Sequence, residues 1–320
     1  MLLHKQHFLL AKYKKSLNRL YLNLSLHQNG KMAKQGFSER LYLKYLRTKF
    51  KTLAILSPQN AAQKAFDLFC TPYPKYKKVK TPAVFHQAEK ISLKLKEGIE
   101  IKGFEWQSPH PNGKTILIAH GYASYFYKFE QYIQPLLKEG FRVIGFDAPG
   151  HGRSQGKYIN VLIYRDAIHA INEAFGPIDH FVGHSLGGLT ISLIAETIEA
   201  PESHKFVLIA PATKTTSTFE GFFSLMRFSP ELKKAFYELV ESLSGKPISY
   251  FEADRAIEDF KGKVLWVHDQ DDPVCSYKDL ENFKNKDPKN TIFLITNNLG
   301  HNKIYKTQSV IDKIVSFLAS

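Results

Sequence analysis

The chain has 320 residues, 43% of them hydrophobic, which supports a sizeable core and excludes a disordered polypeptide. It holds no run of eighteen apolar residues, so no membrane-spanning helix is expected. The formal charge of +14 suggests an anionic partner, but residues 1–80 hold 17 of the 44 Lys and Arg against two acids, Glu39 and Asp67, and residues 81–320 are close to neutral.

The chain order therefore begins with a basic helical N-terminal extension, residues 1–80. The stretches "AKYKKSLNRLYLNL" and "RLYLKYLRTKFKTLAIL" read as helices with basic and apolar residues interleaved, a pattern suited to an anionic membrane surface or to packing on the rest of the molecule. In "SPQNAAQKAFDLF", Ser57 is placed to cap a helix that opens on Pro58 and carries Ala61, Ala65, Leu68 and Phe69 at helical spacing. Three prolines in "CTPYPKYKKVKTP" then mark a boundary near residues 71–82. The start "MLLHKQHFLLAKYKK" makes a poor secretory signal, and two cysteines, Cys70 and Cys275, are too few for a disulfide framework or a zinc cluster. A cytoplasmic protein without metal or cofactor is the expectation, with a membrane-peripheral location as the alternative.

Residues 81–320 follow a different pattern. "KISLKLKEGIEIKGFEW" alternates with period two around a Glu-Gly turn and predicts an antiparallel hairpin. Six apolar runs follow, "TILIAHG", "FRVIGFDAPG", "HFVGHS", "FVLIAPA", "VLWVHD" and "TIFLIT", each expected to be buried on both faces and to precede a helix or lid. This is an α/β pattern: a mostly parallel sheet flanked by helices, with ligands gathered beyond the carboxyl ends of the strands. Residues 212–262 are too many for one crossover and are rich in Phe, Leu and Met. They predict a helical cap, with Phe219, Phe222, Phe223, Leu225, Met226 and Phe228 as candidate substrate-binding walls.

Chemistry gathers at the strand ends. "GHSLG" places Ser185 on a strand-to-helix turn, the nucleophile elbow, with the N–H of Leu186 at a helix N-terminus offered to an oxyanion. A serine hydroxyl needs an imidazole to accept its proton and a carboxylate to orient that imidazole. Downstream, "LWVHDQDDPV" offers Asp269, Asp271 and Asp272, and "NNLGHNKIY" offers His301. Asp272 is favoured because Pro273 turns the chain behind it. Asp269 and Asp271 are expected to cap the next helix or meet solvent. "IAHGYASYFYKF" supplies a second oxyanion donor in the Tyr122 N–H, with His120 supporting the loop.

Taken together, His120-Gly121-Tyr122, "FDAPGHGRSQG", "GHSLGG", "HDQDDPV" and Gly300-His301 resemble the α/β-hydrolase superfamily, specifically its lidded serine esterase and lipase-like members, over about residues 90–320. The resemblance implies an eight-stranded sheet, a Ser185–Asp272–His301 triad and an acyl-serine intermediate, with Asp147 and His151 as loop-structuring residues. Two features depart from the pattern: residues 1–80 have no counterpart in the minimal fold, and Cys275 follows Val274 where many relatives have proline. The domain reading is an extension over 1–80 and a hydrolase domain over 81–320 with a cap insertion at about 212–262. The expected substrate is a small-molecule ester with a hydrophobic acyl or alcohol part. Thioester, amide, acyl-transfer and C–C cleavage chemistry are open on the same triad. Nucleic acid is not an expected partner, since no recognition motif accompanies the charge.

Overall fold

The computed structural model describes residues 37–72 and 79–320. The first basic stretch, residues 11–24, and the centre of the proline-rich boundary lie outside them.

Among the described residues, two helices come first, α1 (Phe37–Leu56) and α2 (Pro58–Phe69). As the sequence predicts, Ser57 caps α2: its hydroxyl accepts the Asn60 N–H at 3.2 Å, and Pro58 stands at the first turn where an N–H would have no partner. The predicted hairpin is β1 (Glu89–Lys94) and β2 (Glu100–Trp106), paired antiparallel with Leu93 opposite Ile101 and turning on Gly98 at φ +77°.

The remaining strands are β3 (Thr115–Ala119), β4 (Arg142–Phe146), β5 (His180–His184), β6 (Lys205–Ile209), β7 (Lys263–Asp269) and β8 (Thr291–Thr296). They complete an eight-stranded sheet of order β1-β2-β4-β3-β5-β6-β7-β8, antiparallel in its first two pairings and parallel in the rest. Alternation along each strand feeds two cores. Ile116, Ile118, Val182 and Val207 face α3 (Glu130–Lys138) and α11 (Gln308–Ala319). Leu117, Ala119, Phe181 and Phe206 face α4 (Val161–Phe175), α5 (Leu186–Ile194), α8 (Ala253–Glu258) and α9 (Lys278–Asn285). One expectation is corrected here. "TIFLIT" was read as buried on both faces, but β8 is an edge strand paired only with β7, and Ile292 on it is exposed.

Between β6 and β7 rise the helices α6 (Thr215–Met226) and α7 (Pro230–Ser244), followed by α8. Lys214 Nζ bonds Glu252 (2.7 Å) and Asp254 (2.6 Å) and closes the neck of this insertion. The insertion does not stand alone. α1 and α2 pack onto α6 and α7 in a third core of Leu43, Leu46, Phe50, Ala62, Ala65, Phe223 and Phe236. Arg47 donates two hydrogen bonds (2.9 and 2.8 Å) to the Leu225 carbonyl at the end of α6, one of the acceptors a helix leaves unpaired there. The cover above the sheet is therefore built from two separate parts of the chain.

Candidate active site

Ser185 sits between β5 and α5 at φ 56°, ψ −119°, a backbone conformation that non-glycine residues rarely adopt. The surrounding glycines answer to space. A Cβ on Gly183 would lie 2.6 Å from the Gly187 carbonyl oxygen, and one on Gly187 would lie 2.3 Å from that of Ala119. The strand, the turn and the neighbouring strand end thus touch backbone to backbone, and only glycine fits.

His301 lies after β8 on the short helix α10 (Gly300–Lys303), with Nδ1 2.8 Å from Asp272 Oδ2. The other oxygen of that carboxylate accepts the N–H groups of Val274 (2.7 Å) and Cys275 (2.9 Å), so the turn after Pro273 aims the side chain. Both groups are buried. Cys275 in place of proline supplies one of these N–H donors.

The other two acids behave differently from each other. Asp271 is exposed, as expected, though its Oδ2 also accepts the Asn298 N–H at 2.9 Å. Asp269 was expected to cap a helix or meet solvent, and neither holds. It is fully buried, and its carboxylate accepts Thr296 Oγ1 (2.7 Å) and the N–H groups of Leu299 (3.0 Å) and Asp271 (3.0 Å). These bonds hold its carboxyl below the usual range against the opposing effect of burial. Asp269 therefore organises the loop that delivers His301.

His184, the residue before Ser185, adds a tie that sequence reading missed. Burial keeps its ring neutral, and Nε2 donates to the His301 carbonyl at 3.0 Å. On the opposite side, a Cβ on Gly121 would stand 3.0 Å from Ser185 Cβ, so the loop leading to Tyr122 runs against the elbow. His120 and His151 support that loop. The Nε2 of His120 accepts the Ala148 N–H (2.9 Å) and that of His151 accepts the Ala123 N–H (3.0 Å), while burial pushes the His151 pKa down to about 3. Asp147 accepts the N–H groups of Phe126 (2.8 Å) and Arg153 (3.0 Å).

Ser185, Leu186, Tyr122 and His301 open onto one cavity of about 640 Å³, within the usual range for small-molecule sites. Its walls require a correction. Phe219 lines it, but Phe222, Phe223 and Met226 do not, nor do Leu225 and Phe228. These side chains are turned into the third core: Phe222 meets Phe69 and Phe228, and Phe223 meets Phe236 edge-on at 5.1 Å. The reason is the N-terminal pair, which gives the outer face of α6 a partner to bury against. In their place α2 contributes Phe66 and Phe69, α7 contributes Val240 and Leu243, and Ile248 and Phe251 follow. Only Phe69 belonged to an apolar face noted in the sequence, and nothing local showed what that face would meet. The same helix end reaches the loop that carries Tyr122: the Tyr122 hydroxyl donates to the Thr71 carbonyl (2.6 Å) and lies 3.1 Å from that of Phe69.

Comparison with known proteins agrees with this geometry. The family model described as "Serine aminopeptidase, S33" matches residues 110–249. The Pyrococcus furiosus esterase Pf2001 superposes with a TM-score of 0.59 at 21% identity, covering 78% of this chain and 98% of the esterase. The chain has the α/β-hydrolase fold. A monoacylglycerol lipase of Paleococcus ferrophilus shares the α/β-hydrolase fold at TM-score 0.54 and 22% identity, over 68% of this chain and 98% of the lipase. Among curated proteins, this chain is 29% identical over 110 residues to a serine hydrolase-like protein of Danio rerio, covering 32% of this chain and 33% of that protein. It is 32% identical over 117 residues to the 2-hydroxy-6-oxononadienedioate/2-hydroxy-6-oxononatrienedioate hydrolase of Escherichia coli O81 (strain ED1a), covering 33% of this chain and 39% of that protein. The chain thus aligns with about a third of the length of the curated relatives it matches. Among the described residues, no helix is long and apolar enough to cross a membrane.

Proposed function

We propose that the protein is a serine hydrolase that cleaves carboxylic esters with a hydrophobic acyl or alcohol part. The observation that carries this reading is the 2.8 Å contact between His301 Nδ1 and Asp272 Oδ2 beside the cavity onto which Ser185 opens. Asp272 holds the proton of His301 on Nδ1, which leaves Nε2 as the base. Ser185 Oγ attacks the acyl carbon as Nε2 takes its proton, and the N–H groups of Leu186 and Tyr122 hold the oxyanion. The same imidazole returns the proton to the leaving alcohol, and water then releases the acyl group by the reverse sequence. Cys275 stands within hydrogen-bonding reach of the Ser185 hydroxyl, but burial and the neighbouring Asp272 carboxylate push its thiol well above the usual range. It is therefore a poor competing nucleophile. The apolar wall from Phe66 to Ile248 supports the hydrophobic part of the substrate.

The test is a neutral fluorophosphonate label combined with p-nitrophenyl esters from acetate to palmitate. Labelling at Ser185, lost in Ser185→Ala together with hydrolysis, is expected. A label elsewhere, or full turnover by Ser185→Ala, overturns the reading.

A second reading is compatible with the first: α1 docks the enzyme on an anionic lipid surface. Its outer face exposes Ile55 and Leu56, each more than three-quarters accessible, with Leu41 and Tyr45 along the same side. Lys44, Lys49 and Lys51 are also exposed on this helix and complement a negative surface. Vesicles of phosphatidylcholine with phosphatidylserine are expected to retain the full-length protein, and Ile55→Ser/Leu56→Ser to release it. Equal retention on neutral vesicles, or by this variant, removes the reading.

A further inference from the structure

One cation at the cavity is left over from the account above. Lys128 lies on the 3-10 turn Phe126–Phe129, directly after the loop that carries Tyr122, and it lines the cavity with Ser185 and His301. Among the described residues, no carboxylate or carbonyl accepts a hydrogen bond from its ammonium. Its contact is the ring of Tyr125, 5.2 Å to the centroid. Two acids near this part of the molecule are already engaged: Asp147 by Phe126 and Arg153, and Asp166, also on the cavity wall, by Arg165 at 3.0 Å.

The surroundings are also cationic. Lys306, on the turn that follows the His301 helix, adds like charge beside Lys128, and its own ammonium lies 5.4 Å from the Tyr305 ring centroid. Burial and this neighbour push the Lys128 pKa down to about 8. The charge of Lys128 also reaches the rings of His120, His151 and His184 around the elbow, and Val240, Leu243 and Ile248 give the same cavity an apolar wall. An ammonium withdrawn from water without an anion costs free energy that a bound carboxylate or phosphate offsets, with charge-assisted hydrogen bonds added.

We propose that Lys128 is an anion-recognising residue, so that the favoured substrate carries a carboxylate or phosphate group close to its scissile bond and an apolar chain beyond it. The proposal rests on the reading of Ser185 as nucleophile. An acidic group on the acyl part and one on the leaving part satisfy the same chemistry, and the test separates them.

With the full-length protein, kcat/KM is measured for neutral p-nitrophenyl butyrate, for mono-p-nitrophenyl succinate with its anion on the acyl side, and for 3-carboxy-4-nitrophenyl butyrate with its anion on the leaving group. Lys128→Met is expected to reduce kcat/KM for at least one anionic ester by about ten- to a hundredfold relative to the neutral one, the span of a hydrogen bond to a charged group. Lys128→Arg is expected to restore the preference, and Lys313→Met, which removes an exposed charge on α11, to leave the ratios at wild type. If Lys128→Met does not fold, Lys128→Gln reads the same ratios. Identical ratios in wild type and both neutral variants overturn the proposal. Fluorophosphonate labelling of Ser185 in each protein reports separately on the nucleophile, so the two readings fail independently.

Discussion

The rim of the sheet and the helical cover meet at one cavity but are held by opposite means. On the rim, Asp272, His301 and the loop that carries Tyr122 are held by hydrogen bonds: Asp272 to two N–H groups and His301, His301 to His184, and the loop to His120 and His151. The cover is held mainly by aromatic rings, such as Phe66 against Phe236 at 5.8 Å and Phe69 against Phe219 at 5.1 Å, with Arg47 as a polar tie. Directional bonds fix the position of an atom to fractions of an ångström, which proton transfer needs. Apolar packing fixes volume and shape, which is what selection of a hydrophobic chain needs. The two regions should therefore fail in different ways.

The largest effect belongs to the rim. Asp272→Asn keeps the shape of the side chain but removes the charge that orients His301, and kcat is expected to fall by about 10⁴-fold with little change in KM or melting temperature. Retention of more than a tenth of wild-type kcat would mean that another carboxylate, Asp269 first, serves His301. The cover offers a smaller and divided effect. Phe223→Ala empties a site in the third core and is expected to cost about 3–5 kcal/mol of stability in chemical denaturation while leaving the preferred ester chain length unchanged. Phe66→Ala, on the cavity wall, is expected to shift that preference toward longer or branched chains at a lower cost in stability. If both variants shift the profile equally, the division between wall and packing drawn here is wrong.

Much of the rim was readable in the sequence because its devices are local. An elbow needs glycines at fixed offsets around Ser185, and an apolar run ending in an acid or a histidine marks the carboxyl end of a parallel strand. Alternation named the hairpin, and Ser57-Pro58 named the start of α2 to the residue. What could not be read was anything set by a distant partner. Pro273 pointed to Asp272, but nothing local showed that Asp269, three residues away, would be buried beneath the path of residues 296–301. The phenylalanines of α6 carry no mark of which face meets the cavity, because that depends on a helix pair more than a hundred and fifty residues earlier. β8 reads like an inner strand because its apolar residues are those of its neighbours, and only the strand order makes it an edge.

The tie from Arg47 to Leu225 spans 178 positions of the chain. During synthesis α1 and α2 leave the ribosome long before the insertion they rest on exists, so their apolar sides wait uncovered until residues 215–244 have been made. Closing so long a loop is entropically expensive and slow, and the Tyr122 hydroxyl cannot find the Thr71 carbonyl until the first helices have come to rest. The wall that α2 lends the cavity is in this sense acquired last, once residues 37–72 have met residues 215–244.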